Sequence, residues 1–167
     1  MNYKSHKIIN WDDLLELRDG WRANGHTVVW TSGCFDLIHV GHLYSLREAK
    51  LLGDVLVVGV NSDASVRAIK GSPRPIVPEE DRAEHLSALE CVDFVVMFNE
   101  LTPEESLKKL KPDVHCKGEE YAPPNGKPIP EKDIVEGYGG RVAFLPLIPA
   151  VSTTDYFRRA IASFNEN

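Results

Sequence analysis

The chain reads as an α/β protein: a Rossmann-like, doubly wound sheet of about five parallel strands with helices on both faces. Three observations predict this. Short, nearly continuous apolar runs, DVLVVGV at residues 54–60 and DFVVMF at 93–98, have the pattern of parallel strands covered on both faces. They alternate with stretches whose apolar residues recur at helical intervals, the order of βαβ units. The first apolar run, Val28 to Trp30, passes through a small glycine-bearing turn into a helix start, and ligands of such sheets collect at the carboxyl ends of their strands.

A length of 167 residues with 43% hydrophobic side chains supports a single domain, residues 1–25 forming a packing segment and 26–167 the catalytic core. The net charge of −6 argues against a general nucleic-acid surface, so any phosphate binding must be local. Cys34, Cys91 and Cys116 are odd in number and lack zinc spacing, which indicates neither a disulfide framework nor a metal centre. The first residues contain no apolar leader core, and no run approaches the ~20 apolar residues of a membrane span, so a reducing cytoplasm is the expected address.

In chain order, Trp11, Leu14, Leu15, Leu17 and Trp21 follow a helical spacing, with Asn10 as N-cap and Gly25 as stop. The two tryptophans are read as core or dimer contacts, and this apolar helix makes a homodimer or higher homo-oligomer the expected assembly. After the glycine-bearing turn, residues 40–52 form a helix closed by Gly53. Asn61, Ser62 and Asp63 end the second strand, where they either meet substrate or cap the short helix SVRAIK. Three prolines in SPRPIVPEEDR forbid regular helix there and mark a loop placed to close over substrate. Pro78 starts the next helix with Glu79, Glu80 and Asp81 in its first turn, as the dipole prefers; Arg82 in that turn gains nothing from the dipole, which points to another job. Strand three is followed by a helix opened by Thr102, Pro103 and Glu105, whose lysines 108, 109 and 111 form a solvated end. DVHCKG is a fourth strand, residues 119–130 a functional loop rich in Pro and Gly, and residues 131–138 a helix stopped by Gly139 and Gly140. RVAFLPL is the fifth strand, which Pro146 confines to an edge, and AVSTTDYFRRAIASF a last helix headed by Ser152, Thr153 and Thr154.

The chemistry concentrates in TSGCFDLIHVGH, residues 31–42. A helix N-terminus leaves N–H groups unpaired at the positive end of the peptide dipole, so anions settle there. Gly33 and Gly41 permit close backbone approach. His39 and His42, three apart, share one helical face, where either imidazole can donate to a triphosphate or be protonated to offset charge on a pentacovalent phosphorus.

GCFDLIHVGH resembles the signature of the nucleotidyltransferase superfamily typified by cytidylyltransferases, an H-x-G-H motif after a G-x-F-D turn. The resemblance runs from Thr27 to Ile161 through Asn61-Ser62-Asp63, the Lys70 segment AIKG, Arg82, VHCKG, Gly139-Gly140 and the final Ser-Thr-Thr. Within that superfamily it is most similar to the branch that joins heptose 1-phosphate to AMP from ATP; with no sugar-kinase half in the sequence, the stand-alone form is implied. The reaction so implied is in-line attack of a sugar phosphate oxygen on the α-phosphorus, with pyrophosphate leaving.

By motif position, His39, His42 and Lys70 are the catalytic residues. Ser32, Gly33, Cys34, Phe35, Gly41, Lys117, Gly118, Ser152, Thr153 and Thr154 bind nucleotide, and Asp36, Lys50, Asn61, Asp63 and Arg82 reach substrate, Asp36 having the alternative of ordering the loop. Lys50 has the alternative of a plain surface helix residue. The resemblance implies magnesium carried on the phosphates with no assigned protein ligand, ATP and a sugar 1-phosphate as partners, and neither nucleic acid nor membrane. Two departures stand out. LIPAVSTT lacks the arginine that glycerol-phosphate cytidylyltransferases carry, and Lys-Gly-Glu-Glu-Tyr replaces the usual Lys-Gly-x-Asp-Tyr of the heptose branch. The competing readings are a cytidylyltransferase for a small alcohol phosphate or phosphonate, and a nonenzymatic nucleotide-binding module.

Overall fold

A computed structural model describes residues 5–148 and 152–165. Its elements alternate in the expected way: α1 (Trp11–Ala23), β1 (Val28–Gly33), α2 (Val40–Lys50), β2 (Val55–Asn61), α3 (Asp63–Lys70), α4 (Glu79–Ser87), β3 (Phe94–Phe98), α5 (Glu104–Leu110), β4 (Val114–Gly118), α6 (Lys132–Gly137), β5 (Arg141–Leu145) and α7 (Thr153–Asn165). The strands form one five-stranded parallel sheet in the order β3-β2-β1-β4-β5. β1 follows β2 along its whole length, Val28 opposite Val55 through Gly33 opposite Val60. It meets β4 only at Val29–Val114 and Trp30–His115. Beyond Trp30 the two strands part, so a crevice opens at their carboxyl ends, where the strand order reverses.

Alternate residues of each strand feed two cores, one on each face. Val29, Leu56, Val58, Val95 and Cys116 pack with Leu46 and Ala49 of α2 and Ala83 and Leu86 of α4. Val28, Trp30, Val57 and Val96 pack with Leu14 of α1, Leu107 and Leu110 of α5 and Val135 of α6. The sheet is therefore doubly wound. Trp30 is fully buried, and Gly59 on the adjacent strand makes room for its indole, which a Cβ there would strike.

Asn10 caps α1 by accepting from the Asp13 amide at 2.9 Å. Trp11 packs at 6.0 Å from Trp30 and donates to the Met97 carbonyl, and Trp21 lies 5.2 Å from Phe94, so both serve this chain's own core. β1 runs three residues past Trp30, because Thr31, Ser32 and Gly33 keep their ladder to β2. Thr102 does not cap α5: the cap position is Pro103, and the Thr102 hydroxyl lies 3.3 Å from the Glu104 carboxylate. Ala150 and Val151, at the expected start of the last helix, lie outside the described residues.

Candidate active site

β1 delivers Gly33 to the sheet's carboxyl edge, and the chain then turns sharply. Phe35 adopts φ +48°, a left-handed conformation uncommon for a residue with a side chain, and its ring is buried 5.5 Å from His42. His39 takes the N-cap position of α2, and its amide donates to His42 Nδ1 at 3.4 Å. The two imidazoles stack with centroids 3.9 Å apart, and Tyr156 of α7 lies parallel to His39 at 5.9 Å. Burial lowers the His39 pKa, and burial together with the charge of His39 lowers His42 to about 4. Both shifts favour the neutral imidazoles in the free protein.

A cavity of 720 Å³ lies against this stack. Gly33, Cys34, Phe35 and Asp36 form one wall, His39 and His42 another; Asn61 at the end of β2 and Lys70 at the end of α3 line it, and Ser152, Thr153 and Thr154 at the head of α7 close it. Lys70 is exposed and aligned with no carboxylate partner among the described residues. The Ser152 hydroxyl is held by Asp155, donating to its carboxylate and accepting from its amide, while Thr153 Oγ1 sits 3.5 Å from the Leu37 carbonyl. Burial raises the Cys34 thiol, so Cys34 is no thiolate at neutral pH; its carbonyl accepts from Arg82. The lining also includes Glu120, the residue that departs from the heptose-branch pattern, and Arg74 and Ile69, which no motif singles out. Arg74 stands between two prolines in a loop, and nothing in that pattern says which way its side chain turns.

Several predicted site residues have other tasks. Asp36 is 2% exposed; its Oδ1 accepts from the Ile76 and Val77 amides at 2.8 and 3.0 Å, which anchors the proline loop, so it is a loop anchor before it is a substrate ligand. Arg82 is fully buried, donating to the Val77 and Cys34 carbonyls and pairing with Asp63 at 2.8 Å. That arrangement commits Arg82 to the fold, and neither Arg82 nor Asp63 is among the residues that line the cavity. Lys50 sits at the far end of α2, 2.6 Å from Asp93, about 12 Å of helix beyond His42 at 1.5 Å per residue. Lys117 pairs at 2.7 Å with Glu131, a buried carboxylate that also lies 3.3 Å from His115. Burial opposes the charge on Glu131, yet the hydrogen bonds from His115 and Lys117 outweigh it and hold its pKa at about 2. Ser32, Gly41 and Gly118 frame the site from β1, the first turn of α2 and the end of β4 without lining the cavity. Ser62 caps α3 through the Ser65 amide, whereas Asn61 is buried and donates to Ser65 Oγ and the Glu100 carbonyl.

The cytidylyltransferase-like family matches residues 30–159, from within β1 into α7. The chain belongs to that family. As a cytidylyltransferase-like protein it is a nucleotidyltransferase, and the imidazole stack, Lys70 and the hydroxyls of α7 fall within the matched span. Among relatives, the bifunctional protein HldE of Syntrophotalea carbinolica is 43% identical over 97% of this chain and 34% of its own length. That of Geobacter metallireducens is 46% identical over 96% of this chain and 32% of its own. The chain thus spans about a third of the curated relatives it matches. A lipopolysaccharide core biosynthesis protein from Thermoplasma volcanium superposes with a TM-score of 0.58 at 29% identity, covering 74% of this chain and 98% of that one. A pantoate-β-alanine ligase from Francisella tularensis, at 12% identity and a TM-score of 0.62 over 92% of this chain and 73% of that one, shares the fold. Among the described residues no helix of this cytidylyltransferase-like chain is long and apolar enough to cross a membrane.

Proposed function

We propose that the chain transfers AMP from ATP to a heptose 1-phosphate, forming ADP-heptose and pyrophosphate. The observation that carries this reading is the meeting, in one cavity, of the His39–His42 stack with Lys70 and the hydroxyl-rich head of α7. An oxygen of the sugar phosphate attacks the α-phosphorus as the bond to the bridging oxygen breaks and its electron pair leaves on pyrophosphate. Such a transfer needs no covalent enzyme intermediate, so positioning and charge stabilisation are its main demands. The imidazoles would donate to the α-phosphate oxygens as their charge grows, while Lys70 and the first amides of α7 hold the departing end. The choice of acceptor is supported by the HldE relatives and by the lipopolysaccharide core biosynthesis neighbour.

Magnesium fits this site as an ion carried on the triphosphate, since it keeps most of its waters and needs few protein ligands. The carboxylates on the cavity wall are Asp36, which is committed to the Ile76 and Val77 amides, and Glu120. When bound, the ion would shield phosphate charge.

The test is pyrophosphate release with magnesium, comparing ATP with CTP across sugar 1-phosphates and alcohol phosphates. Release with ATP and heptose 1-phosphate is the expected result. Release with CTP and an alcohol phosphate would replace this reading with the cytidylyltransferase that the family description keeps in view.

A further inference from the structure

We infer that Arg74, on the loop between α3 and α4, is a phosphate-binding residue whose guanidinium grips the departing pyrophosphate; the inference rests on the nucleotidyl transfer proposed above. Arg74 lines the same cavity as the imidazole stack and Lys70. Its side chain is fixed from two directions. Nε lies 2.5 Å from Oδ2 of Asp36, off the N–H axis, so charge and not an aligned hydrogen bond holds that contact. Its Cζ sits 4.7 Å from the centre of the Phe157 ring, on the second turn of α7. Asp36 itself cannot move easily, because its other oxygen is bound to the Ile76 and Val77 amides.

These contacts use one edge and one face of the guanidinium. Neither terminal nitrogen has a hydrogen-bond partner among the described residues, and the side chain keeps 21% of its exposure. Two such nitrogens form a planar fork that matches two oxygens of one phosphate, a geometry an ammonium cannot offer. The other internal cations differ. Arg82 has its donors committed and is fully buried, Lys50 is on Asp93, and Lys117 is on Glu131. Lys70 and Arg74 are the Lys and Arg side chains that the cavity wall presents.

The stacking on Phe157 says which phosphates the fork meets. Phe157 belongs to the helix whose amino end supplies Ser152, Thr153 and Thr154, so Arg74 shares the cavity wall with those hydroxyls, where the nucleotidyl transfer proposed above puts the departing phosphates. As the bond from the α-phosphorus to the bridging oxygen breaks, its electron pair passes to pyrophosphate. A guanidinium already fixed in place stabilises that growing charge without reorganising.

Magnesium pyrophosphate alone is a sufficient probe, which separates this inference from the choice of acceptor. Calorimetric titration of the unaltered chain, Arg74→Lys, Arg74→Gln and Phe157→Leu would be set beside thermal unfolding of each. Arg74→Lys keeps a cation beside Asp36 and so keeps the loop anchored, but it lacks the fork; its pyrophosphate affinity is expected to fall about tenfold with little change in Tm. Arg74→Gln should weaken binding further, and Phe157→Leu should weaken it while leaving the Asp36 contact intact. Lys108→Gln, on the exposed end of α5 outside the cavity, should bind as the unaltered chain does. Pyrophosphate affinity in folded Arg74→Lys and Phe157→Leu within twofold of the unaltered chain would reduce Arg74 to a loop tether and overturn the inference. So would failure of the unaltered chain to bind pyrophosphate while it turns over nucleotide. Binding that depends on Arg74 without turnover of any sugar phosphate would uphold the inference and remove the proposed acceptor.

Discussion

The His42 imidazole, held at about 4 by burial and by its neighbour His39, is a neutral hydrogen-bond donor at the pH of a cell. A polyphosphate laid along the stack would bring opposite charge to it and raise that value. His42→Ala removes a preorganised donor from the reacting phosphate, and pyrophosphate release should fall about a hundred- to a thousandfold. The same substitution deletes no partner of a buried charge, so Tm should hold. Steady-state turnover beside a melting curve checks this, and turnover within a factor of about three of the unaltered chain would remove His42 from the chemistry. The pair was legible in the sequence because H-x-G-H puts both rings on one helical face whatever surrounds them. Arg74 was not legible, since its direction depends on Asp36 and Phe157, which lie 38 and 83 positions away in the chain.

Arg82 belongs to the scale of elements. It stands in the first turn of α4, donates to the carbonyl of Cys34 in the turn after β1, and pairs with Asp63 at the start of α3. One fully buried cation thus fixes three elements around the crevice. Arg82→Ala leaves two carbonyls and a half-buried carboxylate without their donor, and should cost about 3 kcal/mol or more of stability. Urea unfolding measures it; the midpoint should drop while the KM for ATP of the remaining folded protein changes little. A raised KM at unchanged stability would return Arg82 to the role that its motif position suggested. The alternation of strands and helices, the cap at Asn10 and the glycine stops at Gly25 and Gly139 followed from local rules and appear; Ser62 takes the capping alternative, whereas α2 ends at Lys50, short of the expected stop at Gly53. The destinations of Lys50, Arg82 and Lys117 did not, because each is decided by a carboxylate brought close only by folding: Asp93, Asp63 and Glu131.

Across the whole molecule, two kinds of buried titratable group set the acid limit of stability. His42 is depressed to about 4 from 6.5, and burial lowers His115 as well. Between 6.5 and about 4 the unfolded chain binds protons that the folded chain refuses, so stability falls as pH falls through that window. Glu131 adds a second loss. Its carboxyl is held at about 2 against 4.5 unfolded, so the stabilisation it contributes above 4.5 disappears as pH drops toward 2. A series of melting temperatures should decline from pH 7 toward 4 and continue downward below 4.5. In Glu131→Gln the lower part of that decline should flatten; an unchanged profile would mean that other carboxylates carry it.

The outer half of α7 has a consequence for how tightly the site can hold its ligand. Residues 158–164 are exposed, with Ile161 at 60% and Phe164 at 82%, so this thirteen-residue helix rests on the rest of the chain mainly through its first turns. An isolated helix of that length is marginal in water, and the measured affinity for polyphosphate is the intrinsic one reduced by the fraction of molecules whose α7 is wound. Ligand binding at the helix head should therefore favour the wound form of its tail. Amide hydrogen exchange in residues 158–164 should be fast in the free protein and slow on adding magnesium pyrophosphate, while the amides of β1 and β2 stay slow throughout. Pyrophosphate would act on this protein as a helix-forming agent.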